Sequence, residues 1–322
     1  MSQDQNSSAL WSVAIGLAKF QGDHQQILER FGSAYDTLRT FNSNVWNKLM
    51  AAEIMTVANT DISSMSSSLT DLEKRVRSQA NVPEEQSIGI AATLLYGGSD
   101  ATTSFGRFVE FSKITESHEA AAILSVSNIT SDWLTSKFHS YRDMFNDWGH
   151  TTSDDTDLAA AYLSISPLVV NDVKSKMNTI VDALRSDLAY PLVAAAILTS
   201  MTTLEATEAI DLMEMGVSIL AQFASLGRSE LVSLAVRMVH GVDNQLAKSL
   251  DPNASLSNTP VQFTNTPQQV AQSGFAGQPY YGGFFPIWWY YPLIISHTTY
   301  HNIYNTGGGY HDGHSHGVGG FA

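Results

Sequence analysis

A short pattern of small and large apolar positions recurs along the chain up to residue 250. Two small residues, any residue and two larger apolar residues follow one another at 51–55, 91–95, 120–124, 159–163 and 194–198, and a degenerate copy lies at 231–237. Neighbouring alanines let helix backbones approach closely, and the large residues beside them fill the space between helices. The spacings of 29 to 40 residues suit a supersecondary unit, so the pattern predicts a helical repeat.

A polar break and then a longer amphipathic stretch follow each copy of the pattern. The breaks contain Ser, Thr, Asp or Asn, which accept hydrogen bonds from the free amides of a first helical turn. In the stretches after them, apolar residues fall near helical spacing, as at Phe105 and Phe108. Gly149, Pro191 and Gly227 are expected to close helices. The breaks lie at 59–61, 97–100, 128–132, 166–172 and 202–203.

These elements together predict an all-α body. Strand signals are nearly absent, so each unit is expected to be helix, short turn, helix, with a short Ala-rich first member and a longer second one. Two or three further helices precede the array, one over residues 10–20 and one that begins at Asp23. We expect about a dozen helices in antiparallel hairpins, forming either a short solenoid or a compact αα bundle, which periodicity alone does not distinguish.

The composition changes abruptly near residue 250. Fourteen of the 32 aromatic residues and five of the ten histidines lie beyond Asp251, and none of the 17 lysines and arginines does. We therefore divide the chain into three parts. They are an all-α helical-hairpin repeat domain (1–250), a linker rich in Pro, Gly, Asn and Gln (251–283), and a largely irregular tail rich in aromatic residues, His and Gly (284–322).

Charge and cysteine content exclude several classes of function. The net charge of −14 comes almost entirely from the body, and a field of this sign repels nucleic acid and anionic lipid. The absence of cysteine excludes disulfides, thiol nucleophiles and Cys-ligated zinc. The N-terminus lacks the basic and apolar regions of a signal peptide, and the longest apolar run, 284–295, is too short to span a bilayer. We expect a cytoplasmic protein without a transmembrane segment.

An acidic turn followed by an apolar helix carries a resemblance to a known family. Thr151, Thr152, Ser153, Asp154 and Asp155 precede the apolar run 158–163. In this stretch, in its length and in its recurrent Ala/Leu-rich short helices, the chain resembles the bacterial domain-of-unknown-function family numbered 4003, over residues 10–250. The family prefers an aromatic residue, and often a proline, after the acidic pair, where this chain has Thr and Asp. The resemblance implies an all-helical fold and no particular activity.

The same acidic cluster, residues 153–157, allows two interpretations. Together with residues 171–175 it echoes the motifs through which isoprenoid cyclases hold Mg²⁺ and a diphosphate. However, Leu158 replaces the last aspartate of the first motif, Thr179 replaces the closing glutamate of the second, and the two motifs lie too close together. We favour an acidic helix N-terminus stabilised by the helix dipole. No nucleophile elbow, P-loop or His-Glu-x-x-His motif occurs, so no catalytic residue is predicted.

The tail contains a candidate metal site. The imidazoles of His311, His314 and His316 lie within six residues of one another, and neutral imidazole is a ligand for zinc, nickel and copper. Glycines on both sides make the ordering of this tract entropically costly, so we expect weak binding. No other cofactor is predicted.

The tail also contains six aromatic residues within 284–291, which we call the aromatic segment: Phe284, Phe285, Trp288, Trp289, Tyr290 and Tyr291. Such a cluster is an association surface. One hypothesis is that the aromatic segment folds back onto the helical body. The other is that it inserts into a protein partner, a second copy of the chain or, as a peripheral contact, a membrane interface.

These observations favour a non-catalytic helical-repeat scaffold or protein-interaction module with an aromatic C-terminal anchor. The competing hypothesis is an enzyme whose site is built from dispersed polar residues within the helical bundle. A deep cavity with converging carboxylates or histidines would support the enzyme, and a solid apolar centre would count against it. Metal binding through the His-rich tail is the third hypothesis.

Overall fold

A computed structural model of the chain describes residues 3–18, 23–58, 61–97, 100–127, 129–150, 154–166, 168–201 and 204–250. Within these ranges the regular structure is helical, which confirms the all-α prediction. The thirteen described helices are α1 (Gln3–Ala18), α2 (His24–Leu38), α3 (Val45–Val57), α4 (Ile62–Ala80), α5 (Glu84–Gly97), α6 (Ala101–Phe111), α7 (His118–Val126), α8 (Ser131–Asp147), α9 (Asp154–Ile165), α10 (Val170–Leu184), α11 (Leu192–Thr199), α12 (Ala206–Leu220) and α13 (Arg228–Leu250).

The helices form an inner and an outer layer. Each Ala-rich helix packs against the next Ala-rich helix, in the order α3, α5, α7, α9, α11 and α13. The longer amphipathic helices lie outside them, with α4 between α2 and α6 and with α10 between α8 and α12. The first helix, α1, packs against both α3 and α13, so the two ends of the array meet. Hairpin therefore packs on hairpin in a circuit of contacts that α1 completes.

The recurring alanine pattern marks the inner layer. Its five copies lie in α3, α5, α7, α9 and α11, and the degenerate sixth copy lies in α13. Residues 119–126 of α7, 155–165 of α9 and 192–199 of α11 are buried without a break. A helix that is buried on every side needs small residues wherever a neighbouring backbone comes close. This explains why paired alanines recur in these helices.

The outer helices bury only one face. Val173, Met177, Ile180 and Leu184 form the buried stripe of α10, and phenylalanines do the same in α6. These stripes join the inner helices in one large apolar cluster. A smaller cluster joins α1 to α2 and α3, through Ala9, Val13, Leu17, Ile27, Trp46 and Leu49.

Polar residues before the helices act as the sequence predicted. The side chains of Asp61 and Asp100 accept hydrogen bonds from backbone amides of the first turns of α4 and α6. Gly149 follows α8 with a φ of +82°, a conformation that glycine adopts at little cost. The expectation for two other residues was wrong. Pro191 and Gly227 each immediately precede a helix, α11 and α13, because proline and glycine are also tolerated at helix starts.

Two other boundaries differ from the expectation. Helix α1 begins at Gln3, several residues earlier than predicted, and α12 begins at Ala206, beyond the polar break at 202–203. In the described part of the chain, no helix combines the length and the apolar character that crossing a bilayer requires. The linker 251–283 and the tail 284–322 lie outside the described residues.

Candidate functional site

The acidic cluster at the start of α9 binds the helices on either side of it. Asp155 is buried, and its two carboxylate oxygens accept hydrogen bonds from the backbone amides of Leu192 and Val193 at 3.0 and 3.1 Å. These amides belong to the first turn of α11, where backbone amides have no hydrogen-bond acceptor within the helix itself. Burial raises the pKa of Asp155 to about 6, although the two hydrogen bonds act in the opposite direction.

Asp157 binds the start of α7, which packs on the other side of α9. Its carboxylate accepts a hydrogen bond from the backbone amide of Glu116, next to the first turn of α7, and lies 3.1 Å from Arg142 Nε. Burial raises the pKa of Asp157, while this amide and the Arg142 guanidinium lower it. The acidic cap is thus present, but Asp155 and Asp157 cap the neighbouring helices. Both carboxylates are engaged in holding α7, α9 and α11 together.

Glu119, in the first turn of α7, is a third buried carboxylate with a raised pKa. Its side chain is buried, and burial raises its pKa to about 7, with a further increase from Asp154. Its hydrogen-bond partner is Ser117, whose hydroxyl lies 3.3 Å from Glu119 Oε2. A glutamate that is close to half protonated at neutral pH can exchange protons, but Glu119 lies inside the layer of inner helices.

Cations occupy the opposite ends of the inner helices. Arg30 donates hydrogen bonds to carbonyls at the end of α3, at 2.8 and 3.3 Å, and Arg107 donates to carbonyls at and beyond the end of α7. Lys137 donates to the Ser166 carbonyl after α9, and Lys176 to the Met201 and Leu204 carbonyls after α11. Burial lowers the pKa of Lys137 to about 8. Each cation stabilises the negative end of a helix dipole.

These four cations share one position. Each is the seventh residue of its outer helix, in α2, α6, α8 and α10, and each reaches the end of the inner helix that follows it. An antiparallel hairpin brings the start of its first helix close to the end of its second, which explains the common position. The repeated unit therefore pairs an outer helix with the inner helix after it, whereas the sequence suggested the reverse order.

The described residues contain no group of three or more His, Asp or Glu side chains arranged to hold a metal ion. The second acidic motif, 171–175, lies in α10, where Asp172 follows the start of the helix. The predicted metal ligands His311, His314 and His316 lie outside the described residues. The aromatic segment also lies outside the described residues, so the metal ligands and the aromatic segment both stay predictions.

An open depression lies beside the end of α4. Its charged side chains include Lys74, Arg77 and Glu84. Arg77 pairs with Glu84 at 3.1 Å and with Glu73 at 3.5 Å, so its charge is balanced within the protein. Exposed pairs of this kind contribute little to binding or stability.

An exposed apolar stripe runs along the end of α12 and into the turn that follows it. Met215, Ile219 and Phe223 are 59%, 43% and 71% exposed, and they follow one another at intervals of four residues. Met215 and Ile219 share one side of α12, and Phe223 lies in the turn after Leu220, where backbone hydrogen bonds to the Val217 and Leu220 carbonyls continue the winding of the chain. We call these three residues the α12 stripe. Neighbouring exposed apolar residues on a folded protein mark sites of association.

The surroundings of the α12 stripe are polar and already paired. Arg228 lies between Glu214 of α12 and Asp187 of the segment before α11, and it bonds both carboxylates. The uncharged Ser218 and Gln222 are exposed beside the stripe residues. Helix α12 packs against α10 on one side and against α11 and α13 beneath it. A surface with an uncharged apolar centre and a polar rim suits an apolar partner.

The α12 stripe was not predicted from the sequence, although the sequence contains a signal for it. The opposite face of α12 already buries Ala209, Met213, Val217 and Leu220. An outer helix needs one apolar face, so a second apolar row at Met215, Ile219 and Phe223 exceeds what packing requires. Counting apolar residues on both faces of each outer helix would have identified the stripe.

Comparisons of the chain with protein-family models, with curated proteins and with solved structures gave no match. The resemblance to the family numbered 4003 therefore stays a prediction.

Proposed function

We propose that this protein is a non-catalytic helical scaffold that binds an apolar peptide segment or protein surface through the α12 stripe. The observation that carries the proposal is the exposure of Met215 and Ile219 on a helix that is already packed on its other face, with the exposed Phe223 in the turn that follows them. A soluble body gains nothing from such a row unless a partner covers it.

The use of the buried charges supports a scaffold. Asp155 and Asp157 bind the starts of neighbouring helices, and Lys137 and Lys176 bind the ends of others. These two acids and two bases are thus engaged in holding the inner layer together. Binding through an exposed helix face needs none of them, because affinity there comes from burying apolar area.

Site-specific photo-crosslinking in living cells tests this proposal. A benzophenone amino acid replaces Phe223 in the full chain, and in a second variant it replaces Trp133, an aromatic residue of α8 that is 50% exposed and lies outside the stripe. We expect a discrete crosslinked product, within the chain or to another chain, from position 223 and only background from position 133.

A further substitution checks that the product depends on the stripe. With the crosslinker at position 223, Ile219→Glu places a charge in the middle of the stripe and is expected to abolish the product, because an unpaired charge is costly to cover. Ser218→Glu, on the same helix turn but beside the stripe, is the matched control and is expected to retain most of it. Equal products from positions 223 and 133 would rule out the α12 stripe as a binding surface.

A further inference from the structure

The α12 stripe suits an occupant that is apolar and uncharged. Its three side chains carry no charge, and Glu214 and Arg228 beside it are paired with each other. An apolar occupant covers such side chains without burying a charge against them. The aromatic segment, residues 284–291, has this chemistry, since it has six aromatic residues and no charged one.

We propose that the aromatic segment packs on the α12 stripe of its own chain. This inference rests on the proposed function and names the occupant of the same surface. The aromatic residues would then cover Met215, Ile219 and Phe223, and the stripe would bury the segment's tryptophans, which are the side chains that contribute most in apolar contacts.

The length of the linker allows this contact. Helix α13 follows α12 after a short connection and packs against it, so the two run antiparallel. Its 23 residues place Leu250 about 35 Å from Arg228, which follows Phe223 by five residues. The linker, 251–283, has a root-mean-square end-to-end distance of roughly 30 Å if it behaves as a flexible chain. Its reach matches the distance that it must span.

Attachment also favours the contact within one chain over the contact between chains. A linker whose length matches the span presents its segment at an effective concentration on the order of millimolar, well above the concentration of most proteins in cells. A membrane is a poorer alternative, because the body bears all but two of the 31 acidic residues and is repelled by anionic lipid.

The sequence of the segment suits a narrow stripe. Pro286 and Pro292 disfavour a helix over these residues, so an extended conformation is expected. Alternate side chains of an extended segment point to the same side, and residues 284–291 are long enough to follow the whole stripe. The tryptophan pair at 288 and 289 then places one indole on the stripe in either register.

The experiment uses the purified full chain with the benzophenone amino acid at position 223, irradiated at about 1 µM, where association between chains is weak relative to attachment. Mass spectrometry identifies the crosslinked peptides, and gel electrophoresis separates intramolecular from intermolecular products. We expect a product of monomer size in which position 223 is joined to residues 284–291.

Two pairs of substitutions in the tail sharpen the test. Trp288→Ala with Trp289→Ala is expected to lower the yield of this product about tenfold, because truncation of interfacial tryptophans weakens docking most. Tyr304→Ala with Tyr310→Ala removes two aromatic residues from the same tail outside the segment and is expected to leave the yield unchanged. Neither pair lies in the helical body, so neither changes its fold.

The outcomes separate this inference from the proposed function. A crosslink from position 223 to residues 284–291 of a second copy, or to another protein, overturns docking within the chain and leaves the stripe as a binding surface. A product that survives loss of both tryptophans overturns the assignment of the aromatic segment. No product above that from position 133 overturns both.

Discussion

At the scale of single residues, two buried carboxylates hold the starts of neighbouring helices, and the surroundings of a third, Glu119, differ. Asp155 accepts hydrogen bonds from two amides of α11, and Asp157 accepts one from the amide of Glu116, just before α7. Glu119 is about as buried as Asp155, and its carboxylate is stabilised by its own backbone amide and by the hydroxyl of Ser117. Burial outweighs these hydrogen bonds and raises the Glu119 pKa to about 7.

The raised pKa of Glu119 makes stability depend on pH. The folded protein binds the Glu119 proton more tightly than the unfolded chain does, because the glutamate of the unfolded chain has its ordinary pKa near 4.5. At low pH Glu119 is protonated in both states, so the free-energy cost of burying its charge is absent. Stability is expected to fall as the pH rises from the ordinary value through about 7, by about 3 kcal/mol at most. The raised pKa of Asp155 acts in the same direction.

We expect Glu119→Gln to be more stable than the parent protein at pH 8 and to lose less stability between pH 5 and pH 8. Denaturant unfolding at the two pH values measures both effects. Glu110→Gln, at an exposed position of α6, is the control and should retain the pH dependence of the parent. If both variants keep that dependence, Glu119 is not its source.

At the scale of the helix, one device recurs. A lysine or arginine at the seventh position of an outer helix binds the carbonyls at the end of the inner helix that follows. The carbonyls of a last turn have no partner within their own helix, and an inner helix has limited access to water. Helices α4 and α12 have Ser68 and Leu212 at this position, so the device is not used in every hairpin.

Lys176→Met tests the device in α10. The substitution keeps much of the side-chain volume and leaves the Met201 and Leu204 carbonyls without their donor, which is expected to cost about 2 kcal/mol. Lys174→Met, at an exposed position of the same helix, should change the free energy of unfolding by less than about 0.5 kcal/mol. Equal losses in the two variants would mean that the carbonyl contacts of Lys176 contribute nothing.

Glycines in two helices show how closely helices approach. A Cβ at Gly16 of α1 would overlap the side chains of Arg237 and Glu53, whereas a Cβ at Gly32 of α2 would meet nothing within 4 Å. Gly32→Ala is therefore expected to stabilise the protein by about 0.5–1 kcal/mol, because alanine has the higher helix propensity. Gly16→Ala is expected to destabilise it by about 1–3 kcal/mol through overpacking. Thermal unfolding decides the sign, and a stabilised Gly16→Ala variant would contradict the close contact of α1.

At the scale of the whole molecule, a buried ion pair joins the two ends of the array. Arg237 of α13 pairs with Glu53 of α3 and donates a hydrogen bond of 2.6 Å to Ser12 of α1. Both charged side chains are almost wholly buried. Helices α1, α3 and α13 therefore meet around one charge pair, which fixes how the array closes.

Removing one partner of this pair should cost more than removing both. Arg237→Met leaves Glu53 buried without its guanidinium and is expected to destabilise the protein by about 3–5 kcal/mol. Arg237→Met with Glu53→Leu replaces the pair by apolar side chains and should recover at least half of that loss. A double-mutant cycle measured by denaturant unfolding gives the coupling energy. A double variant no more stable than Arg237→Met alone would show that the pair is not the link.

Much of the fold was accessible from the sequence because it depends on neighbours in the chain. Helical periodicity, paired alanines and polar caps such as Asp61 and Asp100 are local, and they identified the inner helices and the breaks between them. The direction of the pairing was not accessible, since Lys176 and the carbonyls that it binds are 25 and 28 residues apart. Pro191 and Gly227 were misassigned because both residues occur at either end of a helix.

By itself, then, the sequence determined an all-helical body, the identity of its buried helices and the uneven distribution of charge and aromatic residues along the chain. Only the tertiary structure decided that α1 joins α3 to α13, that Asp155 and Asp157 cap helices other than their own, and that α12 has an apolar face left uncovered by the described body. The physical reason is that periodicity shows which side of a helix is apolar, while the packing of distant helices determines which of those sides are buried.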